Sequence, residues 1–170
     1  MAKEIRQKMK RESCNLKQLK EDYEKLRKKY GLPEFSFLNE NFEIEDICYD
    51  ETELLLKKIR KQIMEKIAFE LRVLEMLINP QNAPLFIFNI IKYFNEEDKK
   101  VINTLYKKLN QIAIEIFGLD IEYKEEKEAE FIKNFMRTWK EVQSDLRKIE
   151  KAMRRCSSFG NKNNKKSYLG

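Results

Sequence analysis

The sequence predicts an all-α protein, an antiparallel bundle of about five helices with a disordered basic C-terminal tail. Charged residues make up 38% of the chain and apolar residues 42%, a balance suited to long helices with one solvated and one buried face. Four glycines and three prolines are too few for the many turns of a sheet protein. Apolar side chains recur every three or four residues over long segments, which is the helical period. At 170 residues the chain suits one domain and can bury a real core.

Helix one is expected from about Lys3 to Tyr30. Ile5, Met9, Leu16, Leu19, Tyr23, Leu26 and Tyr30 form a narrow stripe, interrupted at Glu12, that resembles a coiled-coil seam. Gly31 supplies the cap and Pro33 stops the helix. Residues 32–49 contain Phe35, Phe37, Leu38, Phe42, Ile44, Ile47 and Tyr49, too apolar a set for a solvated loop. A short helix and an extended segment laid across the bundle would bury them.

Asp50 and Glu53 make a capping box for helix two, which follows the stripe Leu56, Ile59, Ile63, Ile67, Leu71, Leu74 and Ile78 to Asn79-Pro80. The third helix, Leu85–Phe94, is short and apolar on nearly every side, so burial inside the bundle is expected. A patch facing a partner or a membrane is its alternative reading. Asn95 caps helix four, with Glu96, Glu97 and Asp98 facing its dipole and Gly118 closing it. Helix five, from Lys124 to Met153, repeats Ile132, Phe135, Trp139, Val142, Leu146, Ile149 and Met153 without a miss. Antiparallel pairing of helices one and five, or self-association through one of them, follows as a hypothesis.

The charge is uneven. Residues 1–30 carry 11 Lys/Arg against 5 Asp/Glu, residues 31–153 carry 19 against 24, and residues 154–170 carry five bases and no acid. The chain therefore reads as a basic N-terminal helix, an acidic body and a basic tail. Three widely spaced cysteines without a CxxC pair suggest a reducing compartment, and the polar, basic start carries no leader-like apolar run. The longest apolar stretch is about half the ~20 residues of a spanning helix. A cytoplasmic protein without membrane contact is expected.

Histidine is absent, which removes the usual neutral-pH base, the commonest metal ligand and the Glu-x-x-His di-metal bundle. No glycine-rich loop is available to cradle a phosphate. No catalytic residue, cofactor or metal is therefore assigned, and the chain reads as non-enzymatic. The acidic run Glu122, Glu125, Glu126, Glu128 and Glu130 is similar to the ExxE helix motifs of small all-helical nucleotide pyrophosphohydrolases. That resemblance implies Mg²⁺ held by Glu122, Glu126 and Glu130. It lacks the second acidic pair on a facing helix, and acids also gather at a helix start to meet its dipole. KKIRKQIMEKI and FNEEDKKVINTLYKKL, within residues 54–117, are similar to the helical halves of GINS-type replication subunits. Those segments are generic capped amphipathic helices and the family's small β-domain is not evident, so membership is not adopted.

The expected function is a small scaffold or adaptor that pairs helices with another protein or with itself. Its seam would be Leu16, Leu19, Tyr23, Leu26 and Tyr30, or the stripe of helix five. The alternative is sequence-independent nucleic-acid binding through Lys10, Arg11, Lys17, Lys28, Arg154, Arg155, Lys165 and Lys166. A Mg²⁺-dependent carboxylate enzyme is third.

Overall fold

Six α-helices and two 3-10 segments make up the described chain, in the order α1 (Ala2–Tyr30), α2 (Phe35–Phe42), a 3-10 segment (Ile44–Tyr49), α3 (Leu55–Ile78), a 3-10 segment (Pro80–Asn82), α4 (Leu85–Ile91), α5 (Glu96–Ile121) and α6 (Glu125–Asn164). This computed structural model describes the backbone of residues 2–49 and 54–164, and the side chains of residues 16–47, 54–81 and 83–158. The all-α expectation holds, and no strand occurs among the described residues. Contacts divide the chain into two compact units, one of residues 1–66 and 116–137, the other of residues 67–115 and 138–170.

The first unit begins with α1, which ends as its sequence requires. Gly31 takes φ +66°, and the N–H groups of Gly31 and Leu32 both donate to the Arg27 carbonyl, at 2.8 and 3.2 Å. The helix packs on the 3-10 segment Ile44–Tyr49 and on α2. Leu19 and Tyr23 are buried, and the Tyr23 hydroxyl donates to the Pro33 carbonyl at 2.7 Å. Burial raises the Tyr23 pKa, so the phenol stays a donor.

The expected extended segment after α2 is instead a 3-10 helix. Glu43 closes α2 in the left-handed region, and Asn39 Oδ1 accepts from the Glu45 N–H at 2.9 Å, which winds the chain on rather than letting it extend. Phe42 packs against Phe135, and Phe135 stacks on Phe131 of α6. Leu56, Ile59 and Ile63 of α3 are buried in this unit with Ile132.

In the second unit Ile67, Leu74 and Leu77 of α3, Ile102, Leu105 and Leu109 of α5, and Trp139, Val142, Ile149 and Cys156 of α6 are buried. Burial of such side chains contributes about 1.5–3 kcal/mol each. Three expectations need correction. The third helix is not enclosed, because much of α4 is exposed. Gly118 does not end its helix, since α5 continues to Ile121. The region after Met153 is helical as far as Asn164, held in its first turn by buried Cys156. The capping box Asp50/Glu53 and residues 165–170 lie outside the described residues.

Candidate interaction surface

Proline sets the position of α4. Pro84 precedes it with φ −54° and ψ 147°, and its carbonyl accepts from Ile87 at 2.9 Å and Phe88 at 3.2 Å, starting a helix of seven residues. Its end tightens into 3-10 bonds, Tyr93 N–H to Ile90 and Phe94 N–H to Ile91. The Cys156 thiol donates to the Tyr93 carbonyl at 3.3 Å and ties this end to α6. Asn95 and Asp98 then exchange side-chain to backbone hydrogen bonds, at 2.8 and 3.0 Å, and α5 begins.

At 100° per residue, so short a helix cannot bury every apolar side chain. Ile87 and Ile90 turn inward, whereas Leu85, Phe86 and Phe88 remain 76%, 61% and 43% exposed. Asn89 lies between them on the outer face and is also exposed. Lys92 places its ammonium 4.9 Å from the Phe88 ring centroid and is the only charged residue from Ala83 to Phe94. A contiguous outward face with two phenylalanines and a leucine is the arrangement that marks interaction sites. On α5, Phe117 and Ile121 are exposed at i and i+4 in the first unit, and Ile114 is exposed in the second.

Buried charge lies in the first unit. Arg60 of α3 and Glu128 in the first turn of α6 are both fully buried. Arg60 Nε donates to Glu128 Oε2 at 2.7 Å, and Nη2 donates to Asp120 Oδ1 at 2.7 Å. Nη1 reaches the Ile116 carbonyl at a long 3.4 Å. Glu128 Oε1 accepts no hydrogen bond from the described residues. Burial would push the Arg60 pKa down, but the hydrogen bonds with Asp120 and Glu128 more than offset it. The Arg60 hydrogen bond holds Asp120 below the usual carboxylate range. This grip on the last turn of α5 accounts for the helix running through Gly118.

The seam residues of helix one belong to the first unit's own packing. Leu19 and Tyr23 are buried, and Leu16, Leu26 and Tyr30 are half-buried. The Tyr30 hydroxyl donates to Glu125 Oε1 at 2.7 Å, as does the Lys29 ammonium at 2.9 Å, and together they lower the Glu125 pKa. The helix-five stripe is likewise turned inward, apart from half-buried Leu146 and Met153.

The bases proposed for nucleic acid are mostly engaged where their side chains are described. Lys17 pairs with Glu21 at 3.8 Å, Arg154 with Glu150 at 2.6 Å, and Arg155 with Asp98. Lys28 is exposed on α1, while the side chains of Lys10, Arg11, Lys165 and Lys166 lie outside the described residues. In the acidic run, Glu122 pairs with Lys124 at 2.8 Å, and Glu126 lies 3.4 Å from the Tyr30 hydroxyl. Among the described residues no three acidic or thiol groups are placed to hold a metal ion. No described helix is long and apolar enough to cross a membrane.

No family model matches the chain, and no curated protein or solved structure matches it either.

Proposed function

We propose that this chain is a non-enzymatic helical adaptor of the cytoplasm, binding another protein or itself through the outer face of α4. The observation that carries the reading is the exposure of Leu85, Phe86 and Phe88 on a helix whose other side is anchored by Ile87 and Ile90. An apolar face held on a fixed backbone loses little entropy on binding and gains from every ring removed from water. The helix-one seam is less suited to this role, because its central residues Leu19 and Tyr23 are buried in the first unit. Nucleic-acid binding is the weaker reading, because Arg154 and Arg155 already meet carboxylates.

The test is the variant Leu85→Ser/Phe86→Ser in the full chain. Association, with itself or with another protein, is expected to vanish while the melting temperature stays within about 3 °C of the parent. Unchanged association would refute the adaptor reading at this face.

A further inference from the structure

We infer that the occupant of the α4 face is a second copy of this chain, paired α4 to α4 about a two-fold axis. This rests on the proposed adaptor function and names its partner. Three features of the face fit a like partner. The first is Asn89, exposed among Leu85, Phe86 and Phe88. A wholly apolar partner would bury that amide unsatisfied, whereas two Asn89 side chains can each donate to and accept from the other. A single asparagine within an apolar helix contact fixes partner and register in this way.

The second feature is charge. Lys92 is the face's one cation, and it already rests on the Phe88 ring, so no acid-rich partner is called for. The third is area. With about 200 Å² for each large side chain, the three exposures leave roughly 350 Å² of apolar surface per copy. Two such faces, with Asn89 and the rim at Pro84 and Lys92, bury on the order of 1,000 Å², the lower bound for a specific interface. A two-fold contact is self-complementary and closes at the dimer. Area does not fix affinity, but so small a face suits a weak, transient dimer, for which a Kd of about 10 μM is the working value.

Sedimentation equilibrium of the full chain tests the pairing, from about 1 to 200 μM, a range that brackets that Kd. The parent is expected to pass from monomer to dimer across the range. Leu85→Asp/Phe86→Asp should remain monomeric at the highest concentration. Asn89→Asp, an exposed change that spares the core, should weaken association at least tenfold by placing two like charges at the axis. Asn89→Gln, which keeps the amide, should retain a dimer. A parent that stays monomeric throughout overturns the inference. So does a dimer indifferent to the α4 variants but lost in Phe117→Ser, which would assign the contact to α5.

Photo-crosslinking from benzoylphenylalanine at position 86, in purified protein and in cell extract, separates this inference from the adaptor reading. An adduct between two copies supports the pairing. An adduct only with a different protein overturns it and leaves the adaptor reading standing. No adduct in either sample removes both.

Discussion

The buried ion pair of the first unit and the outer face of α4 in the second place polarity in opposite ways. In the first, a guanidinium and a carboxylate are sealed from water; in the second, two phenylalanines and a leucine face it. The first arrangement is sustained by directed hydrogen bonds, because Arg60 is shared between Glu128 and Asp120 at 2.7 Å each. A buried pair of this kind adds little net stability over apolar residues of the same shape, but losing one member leaves an uncompensated charge. The second arrangement requires no partner for folding, since Ile87 and Ile90 already seat α4. Its exposed rings gain only when something covers them. In the proposed reading, charge inside specifies one packing of α3, α5 and α6 in the first unit, and the outer face of α4 binds a partner.

The largest effect expected from this contrast is on Arg60. Arg60→Met should destabilise the chain by about 3–5 kcal/mol in urea unfolding, because Glu128 is left buried and alone. Adding Glu128→Leu should recover most of that loss. A double variant as unstable as the sum of the two single changes would show that the pair is not coupled.

A smaller effect is expected at Tyr23. Tyr23→Phe removes the hydrogen bond to the Pro33 carbonyl and should cost about 1–2 kcal/mol, read by the same unfolding curves. No change would mean that the bond does not hold the turn after α1.

The smallest concerns Asp120, whose side chain is about half exposed, so solvent screens its ion pair and Asp120→Asn should cost at most about 1 kcal/mol. Its carboxylate pKa is depressed in the folded chain, so the contribution is complete above the ordinary value of 3.8 and disappears as pH falls through the folded value. The stability difference between parent and Asp120→Asn should therefore be constant near neutrality and shrink below pH 3.8. A difference that grows on acidification would contradict the assigned direction.

Much of the fold was legible in the sequence, and the gaps have physical causes. Gly31 and Asn95 act as caps because φ > 0 at a helix end and an Asn before an acidic turn are local signals. Gly118 misled because a glycine is compatible with a helix interior when the last turn has another hold, here Arg60. The exposed side of α4 was illegible because a run apolar all round has no periodicity to say which side faces the core. Arg60 and Glu128 do leave a trace in the sequence. Arg60 lies four residues after Leu56 and three before Ile63, and Glu128 lies four before Ile132, so both charges occupy positions on an apolar stripe. Composition alone hides this, because each lies among other charged residues.

The adjacent residues Phe86 and Ile87 give the most direct test of the claim that α4 has an anchoring side and a binding side. Ile87→Ser and Phe86→Ser should be compared by urea unfolding and by sedimentation. Ile87→Ser is expected to destabilise by roughly 3 kcal/mol or more, as cavity and buried hydroxyl effects combine. Phe86→Ser should leave stability within about 0.5 kcal/mol, the usual range for an exposed position. It should nevertheless abolish association. If Phe86→Ser unfolds the chain as readily as Ile87→Ser, or leaves association intact, the outer face of α4 is not a binding surface.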